Sequence, residues 1–261
     1  MRLNATFPQS TGKFPASFGE IKEIKDGYSQ AEVDKLVAEG VEQGKKAQHD
    51  AFWDAFQQNG SNKYGLVSGV FNGARFTADN FYPKYDIAPV GSAQYLFYAW
   101  ETEQNPGHTK LDLKQRLADC GVVLDTSKAT DITRMFSYAR EIDNIPTIDC
   151  TGLTTASTHA FATCYASVIE KLIVNETVSY GSWFSSCRNL VEIRFEGVIG
   201  QNINFANSSV LSNASVQSII DHLKDLTGLT SQTLTLQADV GAKLTDEQKA
   251  AITAKNWTLV Y

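Results

Sequence analysis

The stretch Phe161-Ala-Thr-Cys-Tyr-Ala-Ser-Val-Ile-Glu-Lys-Leu-Ile-Val174 returns in outline as Phe184-Ser-Ser-Cys-Arg-Asn-Leu-Val-Glu-Ile-Arg-Phe195. Slid by 23 residues, Phe161 and Cys164 fall on Phe184 and Cys187. An alternating apolar run follows each: Val168, Ile169, Leu172 and Val174 in the first, and Leu190, Val191, Ile193 and Phe195 in the second. A fixed period in the twenties is the signature of a solenoid, in which each repeat buries its apolar face only against its neighbours. Solenoids usually bind rather than catalyse, so the period bears on function as well as on fold.

The echo extends both ways and decays. Phe136 lies 25 residues before Phe161, and Phe205 lies 21 residues after Phe184. A second element recurs at a spacing of 24, as Leu124-Asp-Thr-Ser127 and Ile148-Asp-Cys-Thr151. Each aliphatic-Asp step reads as a short strand running into a polar turn, where Asp and Thr side chains bond the backbone. Four imperfect repeats over roughly residues 110–210 are expected.

Composition sets the outer bounds. A chain of 261 residues with 43% hydrophobic and 20% charged residues is an ordinary globular balance with ample material for a core. A net charge of −6 offers no electrostatic footprint for a nucleic-acid backbone. No run of 18 apolar residues suggests a membrane span. The start, Met1-Arg-Leu-Asn-Ala-Thr-Phe-Pro8, lacks the apolar core and cleavage site of a signal peptide.

The residues that carry chemistry are sparse. His49, His108, His159 and His222 are isolated, and no zinc, nucleophile-elbow, P-loop or dinucleotide motif occurs. Acid pairs such as Asp79/Asp86 and Asp143/Asp149 resemble a glycosidase couple only in the way that surface carboxylates everywhere do. Cys120, Cys150, Cys164 and Cys187 contain no CxxC pair. Cys164 and Cys187, at equivalent repeat positions, read either as buried thiols or as partners on adjacent coils. A non-enzymatic protein without catalytic residues, cofactor or metal is expected.

The remaining segments differ in texture. Residues 1–27 read as an extended arm with aromatics at Phe7, Phe14 and Phe18. Residues 28–60 read as a helix: Ser29 and Glu32 form a capping box, and Asn59-Gly60 ends the element. Its apolar face includes Val33, Leu36 and Val37, and Gly40 and Gly44 permit close approach of another helix. That face either packs on its own domain or self-associates. Residues 61–109 are rich in aromatics, among them Tyr82, Tyr85, Tyr98 and Trp100. They read as an N-terminal cap over the repeats, or as a ligand platform. Residues 211–261 read as a C-terminal cap: a helix begun by Ser215 and closed by Gly228, a strand at Thr233–Leu236, a capping box at Thr245 and Gln248, and a last strand from Trp257.

The Phe-x-x-Cys step, the Asn189-Leu-Val-Glu-Ile193 strand and the irregular period resemble bacterial surface-type (BspA-like) leucine-rich repeats. Asp50-Ala-Phe-Trp-Asp-Ala-Phe-Gln-Gln-Asn-Gly60 and Phe81-Tyr-Pro-Lys-Tyr-Asp-Ile87 resemble repeat proteins encoded among the structural genes of prophages in gut-type bacteria. The resemblance covers residues 28–261 and departs from the family where Phe136-Ser-Tyr-Ala139 lacks the cysteine. It implies an α/β repeat fold, a short irregular leucine-rich-repeat solenoid over 110–210 between the two caps. It also implies a phage virion protein of tail, baseplate or neck, made in the bacterial cytoplasm and displaying its repeat domain for host attachment.

On that reading the arm and helix attach to other virion proteins and form a homo-oligomer through Phe7, Phe14, Phe18, Val33, Leu36, Val37, Gly40 and Gly44. Tyr82, Tyr85, Tyr98 and Trp100 are the candidate binding residues for a host-surface glycan or protein, with no nucleic acid and no membrane insertion. A free-standing adhesin and a surface-polysaccharide depolymerase are the alternatives, the second disfavoured by the missing catalytic constellation.

Overall fold

Every strand pairing among the described residues is parallel. The computed structural model describes Glu39, residues 50–54, Phe71, Phe76, Ala78, and residues 80–100, 110–154 and 157–261. The chain divides into two units, Met1–Ala55 and Phe56–Tyr261. In the first, Glu39 and residues 50–54 are helical. The arm and the face expected to assemble (Phe7, Phe14, Phe18, Val33, Leu36, Val37, Gly40, Gly44) lie outside the described residues. Among the described residues, no helix is long and apolar enough to cross a membrane.

Among the described residues the second unit has ten short strands in sheets of two or three, none closed. β1 (Gly91–Ser92) pairs with β3 (Ala129–Asp131), and β2 (Leu111–Asp112) with β4 (Ile142–Asp143). β5 (Ile148–Asp149), β6 (Val168–Val174) and β7 (Glu192–Gly197) form one three-stranded sheet. β8 (Ile203–Phe205), β9 (Gln232–Leu236) and β10 (Trp257–Val260) form another. Register follows the sequence echo: Ile169 sits beside Ile193 and Leu172 beside Phe195. Alternation then buries Ile169, Leu172, Ile193 and Phe195 together and turns Glu192, Arg194 and Glu196 outward.

The phenylalanines of successive turns form one column. Centroids of Phe97, Phe136, Phe161, Phe184 and Phe205 are separated by 4.9, 5.5, 5.6 and 4.4 Å, with interplanar angles of 4°, 3°, 3° and 19°. All five rings are buried. The backbone around them is narrow and repetitive. Phe97 N–H donates to Met135 O at 2.8 Å, Phe136 N–H to Ala160 O at 2.7 Å, and Phe161 N–H to Trp183 O at 3.1 Å. Two residues before and after these rings the chain takes a left-handed φ: Tyr95 and Ala99, Arg134 and Tyr138, His159 and Thr163. Non-glycine residues in that region cost about 1–3 kcal/mol each unless neighbours hold them, and here the next turn does.

Three residues after each phenylalanine comes a second column: Trp100, Ala139, Cys164, Cys187 and Ser208, all buried. Cys164 Sγ donates to Ala139 O at 3.6 Å and Cys187 Sγ to Phe161 O at 2.9 Å, so each thiol ties its turn to the preceding one. All four cysteines are free. At the other edge the aliphatic-Asp steps end in side-chain turns, with Asp125 accepting from Ser127 N–H and Asp149 from Thr151 N–H. Thr126 Oγ1 joins those two turns, accepting from Asp149 N–H at 2.8 Å and donating to Asp149 O at 2.9 Å. Gly152 and Gly200 mark where turns touch, since a Cβ there would lie 2.4 Å from Ser127 O and 2.3 Å from Glu176 O.

Helices replace the narrow turns at two places. α1 (Leu113–Cys120) is capped by Asp112, which accepts from Gln115 N–H, and ends on left-handed Gly121. α2 (Asn213–His222) starts at Ser212, not Ser215. Ser215 Oγ instead accepts from Ile193 N–H at 2.9 Å, and Ser218 Oγ from Phe195 N–H at 2.9 Å. Hydroxyls thus satisfy the edge of β7 where no further strand pairs. The helix also stops short of Gly228, because Leu223 bridges to Ile199. α3 (Ala238–Gly241) and α4 (Asp246–Ala254) precede β10, and Thr245 and Gln248 make the reciprocal capping box expected of them.

Candidate functional site

Beside the buried column, the left-handed Tyr95, Arg134 and Tyr138 and the ordinary Tyr98 and Tyr165 carry large polar side chains. Tyr95 and Tyr98 flank Phe97, Arg134 and Tyr138 flank Phe136, and Tyr165 follows Phe161 by four residues. Backbone bonds hold each in place: Tyr95 N–H donates to Thr133 O, Arg134 N–H to Thr158 O, Tyr138 N–H to Ala162 O and Tyr165 N–H to Ala139 O. The rings touch within a turn and across turns. Tyr95 and Tyr98 meet at 5.1 Å and 78°, and Tyr98 and Tyr138 at 5.9 Å and 77°. Tyr138 and Tyr165 are 41% and 38% exposed, enough to offer both ring edge and hydroxyl to a partner.

Cations lie on these rings. Arg134 is 5.9 Å from the Tyr95 centroid, and Arg140 and Lys110 are 5.5 and 6.0 Å from that of Tyr165. Lys110 Nζ also donates to Tyr165 O at 2.8 Å. Tyr165 bonds Ala139, which stands between Tyr138 and Arg140, so the two groups adjoin in one strip. Acids lie near these cations too: Asp143 acts on Cys164 alongside Lys110, Glu141 follows Arg140, and Asp131 precedes Arg134 by three residues. Burial pushes its carboxyl up, but bonds from Thr133, Gln94 and Ser157 prevail and hold it below the usual carboxylate range. Farther along the same edge Thr163 and Ser186 continue the strip as small polar residues.

The expected binding residues fall in different places. Tyr98 belongs to the strip. Tyr82 is exposed beneath the Arg116 guanidinium, 4.0 Å from its centroid, and Tyr85 is half-buried. Trp100 does not reach the surface: it is 0% exposed and packs edge-on against Phe81 at 5.2 Å. The expectation of a ligand-facing Trp100 is therefore corrected. Its place in the second column, three residues after Phe97, fills the end of the stack together with buried Phe71, Phe76 and Phe81. Tyr95, Tyr138, Tyr165, Arg134, Arg140 and Lys110 were not among the expected site residues. Aligning the chain on its phenylalanines would have placed Tyr95, Tyr98 and Tyr138 on one edge.

A cleft and a set of buried thiols lie elsewhere in the second unit. α1 overhangs the strands to leave a cleft of about 310 Å³, lined by Leu117, Val122, Val123 and Pro146. The Lys114–Glu170 ion pair at 2.7 Å lies at the same cleft. The buried thiols are chemically quiet. Burial pushes Cys164 up to about 12 and lifts Cys150 and Cys187 well above their ordinary value, so sulfur keeps its proton at neutral pH. Among the described residues no three His, Cys, Asp or Glu side chains gather as a metal-ligand set.

Comparisons with protein-family models, curated proteins and solved structures gave no match to this chain.

Proposed function

We propose that this chain is a non-enzymatic component of a phage virion that displays a short leucine-rich-repeat-like solenoid for binding a host-surface glycan or protein. The observation that carries the binding half is the strip of tyrosines and cations held by strained but tightly bonded turns. Glycine or asparagine would occupy the left-handed positions of Tyr95, Arg134 and Tyr138 at lower cost, which supports a use for those three side chains. The parallel register of successive turns and the column of stacked phenylalanines support the solenoid reading. The virion half rests on the resemblance of residues 28–261 to prophage structural-gene products, with attachment assigned to the arm and helix. Immunogold labelling of purified particles with antibody against this chain tests it: label on the tail, baseplate or neck is expected. Particles without label, alongside protein found free in the lysate, favour a free-standing adhesin and sink the virion assignment.

A further inference from the structure

We infer that the outer edge of β10 pairs with the same strand of a second copy of this chain, antiparallel about a two-fold axis at Leu259. The two three-stranded sheets have four outer edges, and three are occupied. At β5, Thr126 Oγ1 accepts from Asp149 N–H and donates to Asp149 O. At β7, the hydroxyls of Ser215 and Ser218 accept from Ile193 and Phe195 N–H. At β8, Tyr180 bridges to Ile203 and its N–H donates to Asn202 O at 2.9 Å. β10 has β9 on one side, and among the described residues nothing bonds its backbone on the other.

The free row is backbone, so its complement is backbone. Alternate residues of a strand turn N–H and C=O away from a partner on one side, and another extended chain matches that spacing. Edges are usually blunted by lysine, proline, a bulge or a cover. Trp257-Thr-Leu-Val-Tyr261 has no charge and no proline, and the register of β10 on β9 runs without a bulge. Tyr261 lies against Gly241, where a Cβ would sit 2.2 Å from its ring, so the extension is held one residue past β10.

Self-complementarity selects the second copy. Reversed about Leu259, the five residues set Thr258 opposite Val260, Leu259 opposite Leu259 and Trp257 opposite Tyr261. Thr258 and Val260 share the exposed face, so β-branched side chains meet there. Trp257 and Tyr261 alternate to the other face and make an aromatic pair at each end. Val260 and Tyr261 are 47% and 51% exposed, apolar surface that this pairing covers, and no like charges face each other within the paired segment. An edge of this length buries less than the roughly 1,000 Å² of a stable interface, so the association is weak and reversible.

Sedimentation equilibrium of the full chain tests the pairing, with hydrogen exchange at β10 read at both ends of the concentration range. The mean mass is expected to rise, up to about twofold, between about 1 and about 500 μM, with slower β10 exchange at the upper end. Two variants at the exposed positions test the axis. Thr258→Lys with Val260→Lys sets ammonium against ammonium twice and should abolish the rise, with unchanged circular dichroism. Thr258→Lys with Val260→Glu sets opposite charges against each other at the same two places and should restore it. A mass independent of concentration overturns the proposal and leaves the edge to a strand of a different protein. A rise that persists in the first variant, or that comes with unchanged β10 exchange, overturns it in favour of association elsewhere in the chain. Loss of the rise in both variants overturns the two-fold pairing.

Discussion

The turns from Arg134 to Phe205 and the segment from Asn213 to Tyr261 meet the same requirement by opposite means. Both must return the chain so that a parallel strand can be added, and both must satisfy the backbone on the way. The first uses narrow turns in which Arg134, Tyr138, Asn144, His159, Thr163 and Ser186 take a left-handed φ. The second uses helices, and Asn256 is its one non-glycine residue of that kind. A helix closes its own hydrogen bonds, whereas a narrow turn sends alternate N–H groups to the next turn. Order in the first region is therefore borrowed from neighbours, and in the second it is largely local.

The sharpest way to break that contrast is to remove a ring from the column. Phe161→Ala should destabilise the protein by about 3–5 kcal/mol, because Phe136 and Phe184 both lose their stacking partner. Urea unfolding measures it. If Ile252→Ala in α4 costs as much, the neighbour-dependence of the narrow turns is wrong. Next comes the junction between the regions. Ser215→Ala should cost about 1–3 kcal/mol by stranding Ile193 N–H, and hydrogen exchange at that amide should quicken. Unchanged exchange would mean that the helix does not complete the edge of β7.

A smaller effect should appear at alkaline pH. A thiol whose folded pKa is raised keeps its proton while the unfolded chain releases it. Its contribution is intact below about 9 and falls by about 1.4 kcal/mol per pH unit above that, until Cys164 itself titrates near about 12. Urea midpoints between about pH 8.5 and 10.5 should therefore decline, and less steeply in Cys164→Ala. Parallel slopes would place that thiol outside the core. The smallest effect runs the other way. Ser208 Oγ is buried with no hydrogen-bond partner among the described residues, so Ser208→Ala should gain up to about 1 kcal/mol. A loss there, matching Ser215→Ala, would erase the distinction between an idle hydroxyl and one that replaces a strand.

Much of this was legible where identical residues recur in identical roles. The Phe-x-x-Cys step marked the two buried columns, the apolar runs marked β6 and β7, and Thr245 with Gln248 marked the start of α4. Helix starts with competing serines were less legible: Ser212 and Ser215 both suit an N-cap, and only the unpaired edge of β7 decides between them. α1 carried readable caps in Asp112, Gln115 and Gly121 but lay inside a stretch dominated by the repeat. The strip was hardest, since exposure of Tyr138 and Arg134 depends on left-handed turns that no local propensity announces. Trp100 belongs to an aromatic run that reads either as a cap or as a ligand platform, and its alignment with Cys164 and Cys187 points to burial.

The corner bridged by α1 has one more consequence. In one turn Asn144–Thr147 join the paired strand Ile142–Asp143 to Ile148, while in its counterpart residues 113–123, helix included, make the same crossing from Asp112 to Leu124. The ladder on either side keeps its register, with Leu111 beside Ile142 and Leu124 beside Ile87. That corner is a splice point: a foreign helix or epitope grafted there would ride on the stack without entering its arithmetic, as a cartridge fits a rack.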